Sequence, residues 1–597
     1  MSTTVVPLET SAAAPAGGSF LIEHATPAHT FTPEDFNEEQ RQTSATAERF
    51  MTEEVMPTIP DYEQKKSGLA RGLIEKAGEL RLLAVLVPEK YDGLEMDVTT
   101  QMLVNESVGR YSAFSTTYGA HAGIGTLPIV FFGTEEQKQK YLPKLVTAEM
   151  LGAYCLSEPQ AGSDALNSLT RAELTPDGKH YVLNGQKMWI SNGGWADLFT
   201  VFAKVDGEKF CAFLVERSYE GVRPGAEEHK MGIHGSSTTA LFLDNVKVPV
   251  ENLLGEIGRG HIIAFNILNL GRLKLGASCV GGAKSVIAES ARYVNQRKAF
   301  GQPIAKFGAI RQKLADMTAK TFAGESLIYR TSGVIDARLE GFSWDADDAA
   351  QTALKAVEEY AIECSIAKVY LSEALDYVAD EGVQIHGGYG FHQDYAVERA
   401  YRDARINRIF EGTNEINRLL VTGMLLKRSN QGRLNLLGAV QNLMLELANG
   451  SVSGSSGGPF PAQRDMVGRA KKAMIAMAGL AYQKFKAELE KQQEVTAALG
   501  DMVIEIYAAE SALIRAEKLS AAGRGQTIGD IIMVLAQAMM TAVDERAKLI
   551  VGACAEGVDV EQHSKTVAKL TRFTPANLPA ARDRIAARVL EAEKYIF

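Results

Sequence analysis

The pattern of apolar and polar positions changes character twice along the chain. Helical spacing begins at Thr32 and continues to about Ala148, and it returns at Gly260. Between residues 151 and 253, short runs rich in β-branched and aromatic residues are separated by Asp-Gly, Asn-Gly and Gly-Gly turn signals. This order predicts a helical domain, then a β domain, then a second helical region.

The second helical region contains two long predicted helices, at residues 266–299 and 310–338, which suit a helical bundle. A break at residues 429–432 precedes further helical patterns at residues 462–499, 501–522 and 527–556. We therefore predict domains at residues 31–150, 151–255, 256–430 and 431–597. Residues 1–30 are predicted to be a flexible tail, and residues 450–460 a mobile low-complexity loop.

Composition narrows the class of protein. The 597 residues are 46% apolar and 23% charged, which indicates a globular protein of several domains. The formal charge of −10 argues against a nucleic-acid-binding surface. Five cysteines without a Cys-x-x-Cys pair, and ten histidines without ligand spacing, predict neither a disulfide framework nor a metal site. No secretory signal and no apolar run of roughly 18 residues is evident, so we predict a cytoplasmic bacterial enzyme.

Glu411 is the first candidate for chemistry. It lies between Phe410 and Gly412, where the helical pattern breaks. A carboxylate with an apolar neighbour and bare backbone beside it can be desolvated and still reach a ligand, which makes it a base near neutral pH. The same local pattern also suits a helix end capped by glycine, with a solvated glutamate.

Other stretches suggest ligand binding. In residues 153–164 a strand enters a turn that can present Ser157 and backbone amides to a polar ring edge or a phosphate. Residues two apart share a face of a strand, so Trp189 and Ser191 are predicted to meet one flat ligand. The alternative is a core tryptophan and a serine at the end of a strand.

A cation and a glycine pair are the third candidate. Arg297 can bind a pyrophosphate as a fork, and the backbone at Gly387 and Gly388 permits close approach. The alternative is a plain helix-capping turn.

Together, residues 153–164, 187–193, 296–301, 384–390 and 401–414 resemble the acyl-CoA dehydrogenase family, over about residues 40–428. The extra unit at residues 431–597 is similar to the additional helical domain of the very-long-chain branch. The resemblance implies a mainly α fold with a β domain. Its parts are an N-terminal helical domain, a middle β-barrel-like domain, a C-terminal four-helix bundle and an extra C-terminal helical domain.

The resemblance implies FAD-dependent α,β-dehydrogenation of a medium to very long fatty acyl-CoA to trans-2-enoyl-CoA, the first step of β-oxidation. Glu411 would remove the α proton, a hydride would pass to flavin N5, and electron-transferring flavoprotein would take the electrons. The Glu411 backbone N–H and the flavin ribityl 2′-hydroxyl would stabilise the enolate. One branch carries its base on the helix matching residues 268–276, but Leu270 and Gly271 offer no carboxylate there.

The resemblance also assigns site residues. FAD binding falls on Tyr154, Leu156, Ser157, Gly162, Ser163, Trp189, Ile190, Ser191, Arg297, Phe300, Gln384, Ile385, Gly387, Gly388, Thr413 and Glu415. In the family, the adenosine-diphosphate part of FAD, matched by the residues from Arg297 to Gly388, is bound across a subunit boundary. Substrate binding falls on Ser163, Asn269, Arg272, Glu411 and Gly412.

Several alternatives stay open. An acyl-CoA oxidase shares this architecture, and an FAD-containing scaffold protein is a second possibility. Small residues at positions 118–125 either leave room for a long acyl tail or pack tightly. The extra unit implies a homodimer, and it suggests peripheral contact with the inner membrane. Such contact would use Lys471 and Lys472 with Met474, Ile475, Met477 and Leu480, unless this stripe is core.

Overall fold

The computed structural model describes residues 14–450, 452, 454 and 457–597. Parts of the predicted tail and of the predicted mobile loop therefore lie outside the described residues. The first helical unit consists of α1 (Glu38–Phe50), α2 (Ile59–Glu63), α3 (Leu69–Glu79), α4 (Val98–Val108), α5 (Ser112–Gly119), α6 (Leu127–Phe132) and α7 (Glu135–Val146). A π-helical turn, Ala120–Gly125, joins α5 to α6.

A β domain follows, as predicted. Its strands are β1 (Gly152–Cys155), β2 (Arg171–Leu174), β3 (His180–Ser191), β4 (Leu198–Val205), β5 (Lys209–Glu216), β6 (Val222–Glu227), β7 (Thr238–Pro249) and β8 (Leu253–Leu254). The sheet order is β6-β7-β3-β2-β4-β5-β8, and β1 pairs with β4. Strands β1 and β2 run parallel to β4, and the other pairs are antiparallel.

The bundle contains α8 (Gly260–Gln296), α9 (Gly308–Arg338), α10 (Ala349–Glu359), α11 (Ala361–His386), α12 (Ala396–Ala404) and α13 (Asn414–Asn430). A small hairpin of β9 (Lys298–Ala299) and β10 (Gln302–Pro303) connects α8 to α9. Helix α8 packs against α4, α9 and α11, so it is buried along much of its length. The two long helices predicted from periodicity are confirmed, although each begins a few residues earlier than expected.

The extra unit contains α14 (Leu436–Ala448), α15 (Pro461–Phe485), α16 (Gln493–Ala521), α17 (Gly525–Cys554), α18 (Val558–Thr571) and α19 (Leu578–Ala592). The single helix expected at residues 462–499 is wrong. A short 3-10 segment, Lys486–Lys491, interrupts it, and Lys486 has a left-handed φ of 48°. The polar run there offers only Leu489 to the core, so a continuous amphipathic helix does not form.

Within the described residues, the extra unit does not have a hydrophobic core of its own. One hydrophobic cluster runs continuously through the bundle and helices α14–α19. Buried ion pairs also cross the junction: Arg330 of α9 pairs with Glu510 of α16 at 3.0 Å, and Arg515 of α16 pairs with Glu325 of α9. The hydrophobic core therefore continues across the predicted domain boundary near residue 430.

The apolar stripe on α15 belongs to this core. Met474, Ile475, Met477 and Leu480 are all buried, and Lys471 pairs with Glu510. The proposed membrane-facing role of this stripe is therefore wrong, because the stripe has no exposed face. A segment of α17, Thr527–Cys554, is long and apolar enough to pass as a membrane span. Just over half of its most apolar stretch (56%) is buried within the fold, and core helices commonly pass the same test.

The predicted flexible tail is also wrong where the structure describes it. The N–H groups of Gly17 and Gly18 donate to carboxylate oxygens of Glu359 (2.9 Å) and Glu363 (2.7 Å). A Cβ on Gly17 would lie 2.0 Å from the Glu359 carbonyl oxygen, so glycine permits this close approach. Phe20 is buried with its ring centroid 4.5 Å from that of Tyr507, which connects this segment to α16.

We expect Phe20→Ala to lower the free energy of unfolding by about 3–5 kcal/mol, because it opens a cavity between this segment and α16. Denaturant unfolding of the full-length protein measures the change. Leu437→Ala is the matched control, since Leu437 is 65% exposed and its loss leaves no cavity. Equal stability of the two variants would contradict a packed N-terminal segment.

Candidate active site

Glu411 lies in a strained loop between α12 and α13. Its φ is 58° and that of Gly412 is 80°, so two successive residues are left-handed. A non-glycine residue in this region persists only where its surroundings hold it. Lys368 of α11 donates to the Gly412 carbonyl at 2.7 Å, and Arg272 of α8 donates to the Glu411 carbonyl at 3.2 Å. These cations hold the loop by its backbone, and they leave the Glu411 side chain free.

The Glu411 carboxyl group is enclosed and incompletely bonded. Its Oε2 has no hydrogen-bond partner within the described part of the chain. Removal from water raises the pKa of Glu411 to about 7, although Arg272, Lys368 and Lys274 oppose the rise. A carboxyl group with this pKa can accept and release a proton near neutral pH.

Gly271 makes room for this carboxyl group. A Cβ on Gly271 would lie 2.8 Å from the Glu411 Oε2. The glutamate therefore rests directly over the backbone of α8, at the position where one family branch is expected to carry its base. A side chain at residue 271 and the present position of Glu411 exclude one another.

A cavity of about 110 Å³ opens beside Glu411. Its lining includes Ser191 from β3, Gly119 and Gly123 from α5 and the π-helical turn, and Gly271 and Lys274 from α8. The segment at residues 118–125 borders the cavity at two positions and packs tightly at another. Gly119 and Gly123 border the cavity, whereas a Cβ on Gly125 would lie 2.8 Å from the backbone of Gly152.

The β domain approaches the cavity through a bulge. The pairing of β3 with β7 shifts register between Lys187 and Ile190, and Trp189 within the shift has a φ of 56°. The bulge interrupts the regular alternation of β3 immediately before Ile190, and Ile190 separates Trp189 from Ser191. Trp189 is 58% exposed, Ile190 is buried, and Ser191 borders the cavity.

A buried ion pair attaches the turn of residues 153–164 to this bulge. Lys187 contacts Glu158 at 2.7 Å, and both side chains are almost fully buried. Next to it, the Met188 N–H donates to the Ser157 carbonyl at 3.0 Å. The ion pair lowers the pKa of Glu158 to about 2, although burial opposes this. The turn and the exposed indole of Trp189 are therefore held side by side.

Some predicted flavin contacts are less accessible. The Tyr154 ring is buried against Phe202, with 5.1 Å between ring centroids, and Ile190 is buried as well. Leu156 and Ser157 are partly buried, whereas Gly162 and Ser163 are exposed in the turn. Any ligand contact by Tyr154 or Ile190 would therefore involve mainly the backbone.

The predicted pyrophosphate-binding residues come together on an exposed surface. The Arg297 guanidinium lies 5.4 Å from the ring centroid of Tyr389, which follows Gly387 and Gly388. A Cβ on either glycine would meet no atom within 4 Å, so the backbone there is open. Phe300 is 94% exposed and Gln384 is exposed, but Ile385 is buried and offers no side-chain contact.

The remaining predicted residues lie beside the loop or in the first turn of α13. Thr413 caps α13 by accepting from the Ile416 N–H at 3.3 Å, and Glu415 is exposed in the first turn. Arg272 is buried and donates to Asn269 at 2.9 Å, so this pair lies inside the protein beside Glu411.

Sequence reasoning missed Lys368 and Lys274. Each is a single lysine in an apolar stretch of a helix, and that signal could have marked both.

These residues suit a flat redox cofactor with a pyrophosphate tail. The exposed Trp189 indole offers an aromatic surface, the Ser191 hydroxyl borders the cavity, and the Arg297 guanidinium suits a phosphate. In the part of the chain that the structure describes, no group of three or more potential ligands is placed to hold a metal ion.

Four family models match successive parts of the chain. They are described as the N-terminal domain of acyl-CoA dehydrogenase (residues 37–149), its middle domain (153–246), and two C-terminal domain models (258–426 and 469–569). The fold class predicted from the sequence is thus confirmed, including the extra helical domain.

Two relatives and one solved structure illustrate the similarity. A probable acyl-CoA dehydrogenase of Bacillus subtilis is 47% identical over 97% of this chain and 98% of its own. The very long-chain specific acyl-CoA dehydrogenase of Rattus norvegicus is 40% identical over 65% of this chain and 58% of its own. The crystal structure of an acyl-CoA dehydrogenase complexed with FAD from Bacillus anthracis has a TM-score of 0.96 and 47% identity, and covers 98% of this chain and 100% of its own. The chain therefore belongs to the acyl-CoA dehydrogenase family.

Proposed function

We propose that this protein is an FAD-dependent acyl-CoA dehydrogenase that converts a saturated acyl-CoA thioester into the trans-2-enoyl-CoA. The observation that carries the proposal is Glu411. Its enclosed carboxyl group has a free Oε2 and a pKa of about 7, and it faces a cavity at the junction of the bundle and the β domain. The family of the chain supports the same reaction.

The chain's own groups have distinct tasks. Ionised Glu411 removes the proton from the α carbon of the thioester, and Gly271 leaves the space in which its carboxylate moves. The Glu411 N–H has no acceptor among the described residues and is free to donate to the thioester oxygen as negative charge develops there. Arg272 and Lys368 keep this N–H and the carboxylate in one orientation.

Bound FAD would supply the acceptor for the hydride that leaves the β carbon of the substrate. Ser157, Trp189 and Ser191 would hold the flavin end, with Thr413 and Glu415 at the turn after the base. Arg297, Gly387 and Gly388 would hold the pyrophosphate, with Phe300 and Gln384 beside them. The exposed Phe300 ring is available to a second subunit, in agreement with a homodimer that shares the cofactor.

The acyl chain would enter between α5, the π-helical turn and α8. Gly119 and Gly123 border the cavity there without side chains, and the resemblance to the very-long-chain branch supports a medium to very long acyl chain. Substrate contacts would come from Ser163, Asn269, Arg272, Glu411 and Gly412. Electron-transferring flavoprotein is the electron acceptor that we expect.

The extra domain supports the catalytic loop. Asn414, next to the loop, donates to Glu373 at 2.9 Å, and Arg418 donates to the second oxygen of the same carboxylate at 2.8 Å. Arg418 also donates to Asp501 of α16, which accepts from Arg546 of α17 at 2.9 Å. An unbroken chain of charge-assisted hydrogen bonds thus connects the loop with two helices of the extra domain.

Glu411→Gln should abolish flavin reduction, because the amide has the shape of the acid but cannot accept the α proton. We expect the rate of anaerobic flavin bleaching by palmitoyl-CoA and octanoyl-CoA to fall by at least ~10²-fold. Glu79→Gln is the control, since Glu79 is exposed at the end of α3 and does not line the cavity. Bleaching by Glu411→Gln at the wild-type rate would exclude Glu411 as the base.

The bleaching rate should rise with pH. Only ionised Glu411 accepts a proton, so the rate increases as pH rises through about 7 and then levels off. Stopped-flow bleaching between pH 5 and pH 9 measures the midpoint. A midpoint near the ordinary value for glutamate would mean that its carboxyl group is solvated rather than enclosed.

Asp501→Asn should slow bleaching by ~10-fold or more, because it weakens both arginine contacts that support the catalytic loop. Asp530→Asn is the matched control. Asp530 accepts two hydrogen bonds from Arg584 at 2.8 Å and 2.5 Å within the same extra domain, and this pair is no part of the hydrogen-bond chain through Arg418. Equal loss in both variants would indicate general destabilisation rather than support of the loop.

A further inference from the structure

Lys274 is a buried cation on the cavity side of α8. It lies one helical turn from Gly271, is 4% exposed, and borders the same cavity as Glu411. Charged groups leave water at a high cost, so buried lysines are rare unless an acceptor compensates them. The acceptors around Lys274 therefore indicate whether its site is complete.

The Lys274 ammonium is poorly satisfied. Its Nζ donates to one acceptor, the Ala122 carbonyl, at 3.3 Å. No carboxylate of the described chain lies within 4.0 Å of it, and an ammonium has three donors. A Cβ on Gly123 would lie 3.6 Å from this Nζ, so the glycine leaves space beside the charge.

The other buried lysines differ. Lys187 contacts Glu158 at 2.7 Å, and Lys471 pairs with Glu510. Lys368 donates to the Gly412 carbonyl at 2.7 Å and to Asn414 at 2.6 Å. Each has close acceptors from the protein, whereas Lys274 has one distant carbonyl and faces a cavity.

The cavity around Lys274 is also partly polar. Ser115 and Ser278 line it, with 3.0 Å between their hydroxyl oxygens, and Asn105 lines it as well. A plain alkyl chain gains nothing from a cation and these hydroxyl groups, and it would leave the ammonium desolvated. A ligand with a negatively charged oxygen would satisfy them.

We propose that Lys274 is a subsite for a second carboxylate on the substrate, so that the enzyme accepts ω-carboxyacyl-CoA, the monothioester of a dicarboxylic acid. This inference rests on the proposed acyl-CoA dehydrogenation. The ammonium contributes a charge-assisted hydrogen bond to the ω-carboxylate. It also offsets the repulsion between that carboxylate and ionised Glu411, which lines the same cavity. Burial lowers the pKa of Lys274 to about 7 before any anion arrives, and a bound carboxylate would favour the charged form.

The test compares substrates that differ only at the distal end of the acyl chain. Glutaryl-, adipyl- and suberyl-CoA are paired with pentanoyl-, hexanoyl- and octanoyl-CoA, and kcat/KM is measured with the FAD-loaded protein. We expect the wild type to prefer the dicarboxylic member of at least one pair by ~10-fold or more. Lys274→Met, of similar length but uncharged, should lower this ratio by ~10-fold or more, and Lys274→Arg should retain part of it.

The ratio cancels effects common to both substrates, including any change at Glu411. Preference of the wild type for the monocarboxylic member of all three pairs would overturn the subsite, whether or not the variants fold. An unchanged ratio in a folded Lys274→Met would overturn it as well. Failure of both substrate classes to bleach the flavin would instead overturn the proposed dehydrogenation.

Discussion

The arrangement of the site depends on one constraint: a carboxyl group is enclosed against the backbone of α8 at Gly271, which has no side chain. Glu411 holds an unbonded Oε2 beside Gly271, where a Cβ would come within 2.8 Å of it. Desolvation raises the pKa of this carboxyl group to about 7, but an enclosed carboxylate also tends to turn towards any available donor. The surrounding structure must therefore hold Glu411 by other atoms.

Cations provide this support without neutralising the base. Lys368 and Arg272 bond to backbone carbonyls of the loop rather than to the Glu411 carboxylate. Their charges moderate the pKa of Glu411, and their hydrogen bonds determine where it points. Lys274 contributes charge but supports no part of this loop, which is why its distant single acceptor suggests a role towards the substrate.

The extra C-terminal domain extends the same support outward. Its helices share one continuous hydrophobic core with the bundle, and Asp501 joins them to the loop through Arg418. A buried charge network specifies one arrangement of its members, because any other arrangement leaves charges unpaired. Residues 17–21 form a second connection between the bundle and the extra domain. Their backbone amides bond to the bundle, and Phe20 packs against α16.

The order of domains, the long bundle helices and the candidate base could all be predicted from the sequence. Those features arise from periodicity and from neighbouring residues: Phe410 and Gly412 adjoin Glu411, and the strand pattern of residues 151–253 is local. Arg297, Gly387 and Gly388 are exposed, and their common role in binding a pyrophosphate stays a prediction.

Only the tertiary structure decided which distant residues meet. The register shift at Trp189 depends on pairing with β7, and the burial of the α15 stripe depends on the helices packed around it. The segment at residues 17–21 is ordered by carboxylates more than 340 positions away, at Glu359 and Glu363. The contact of Gly271 with Glu411 likewise joins two separate helical regions. Periodicity shows which residues of a segment lie on its apolar face. It does not show which other segment packs against that face.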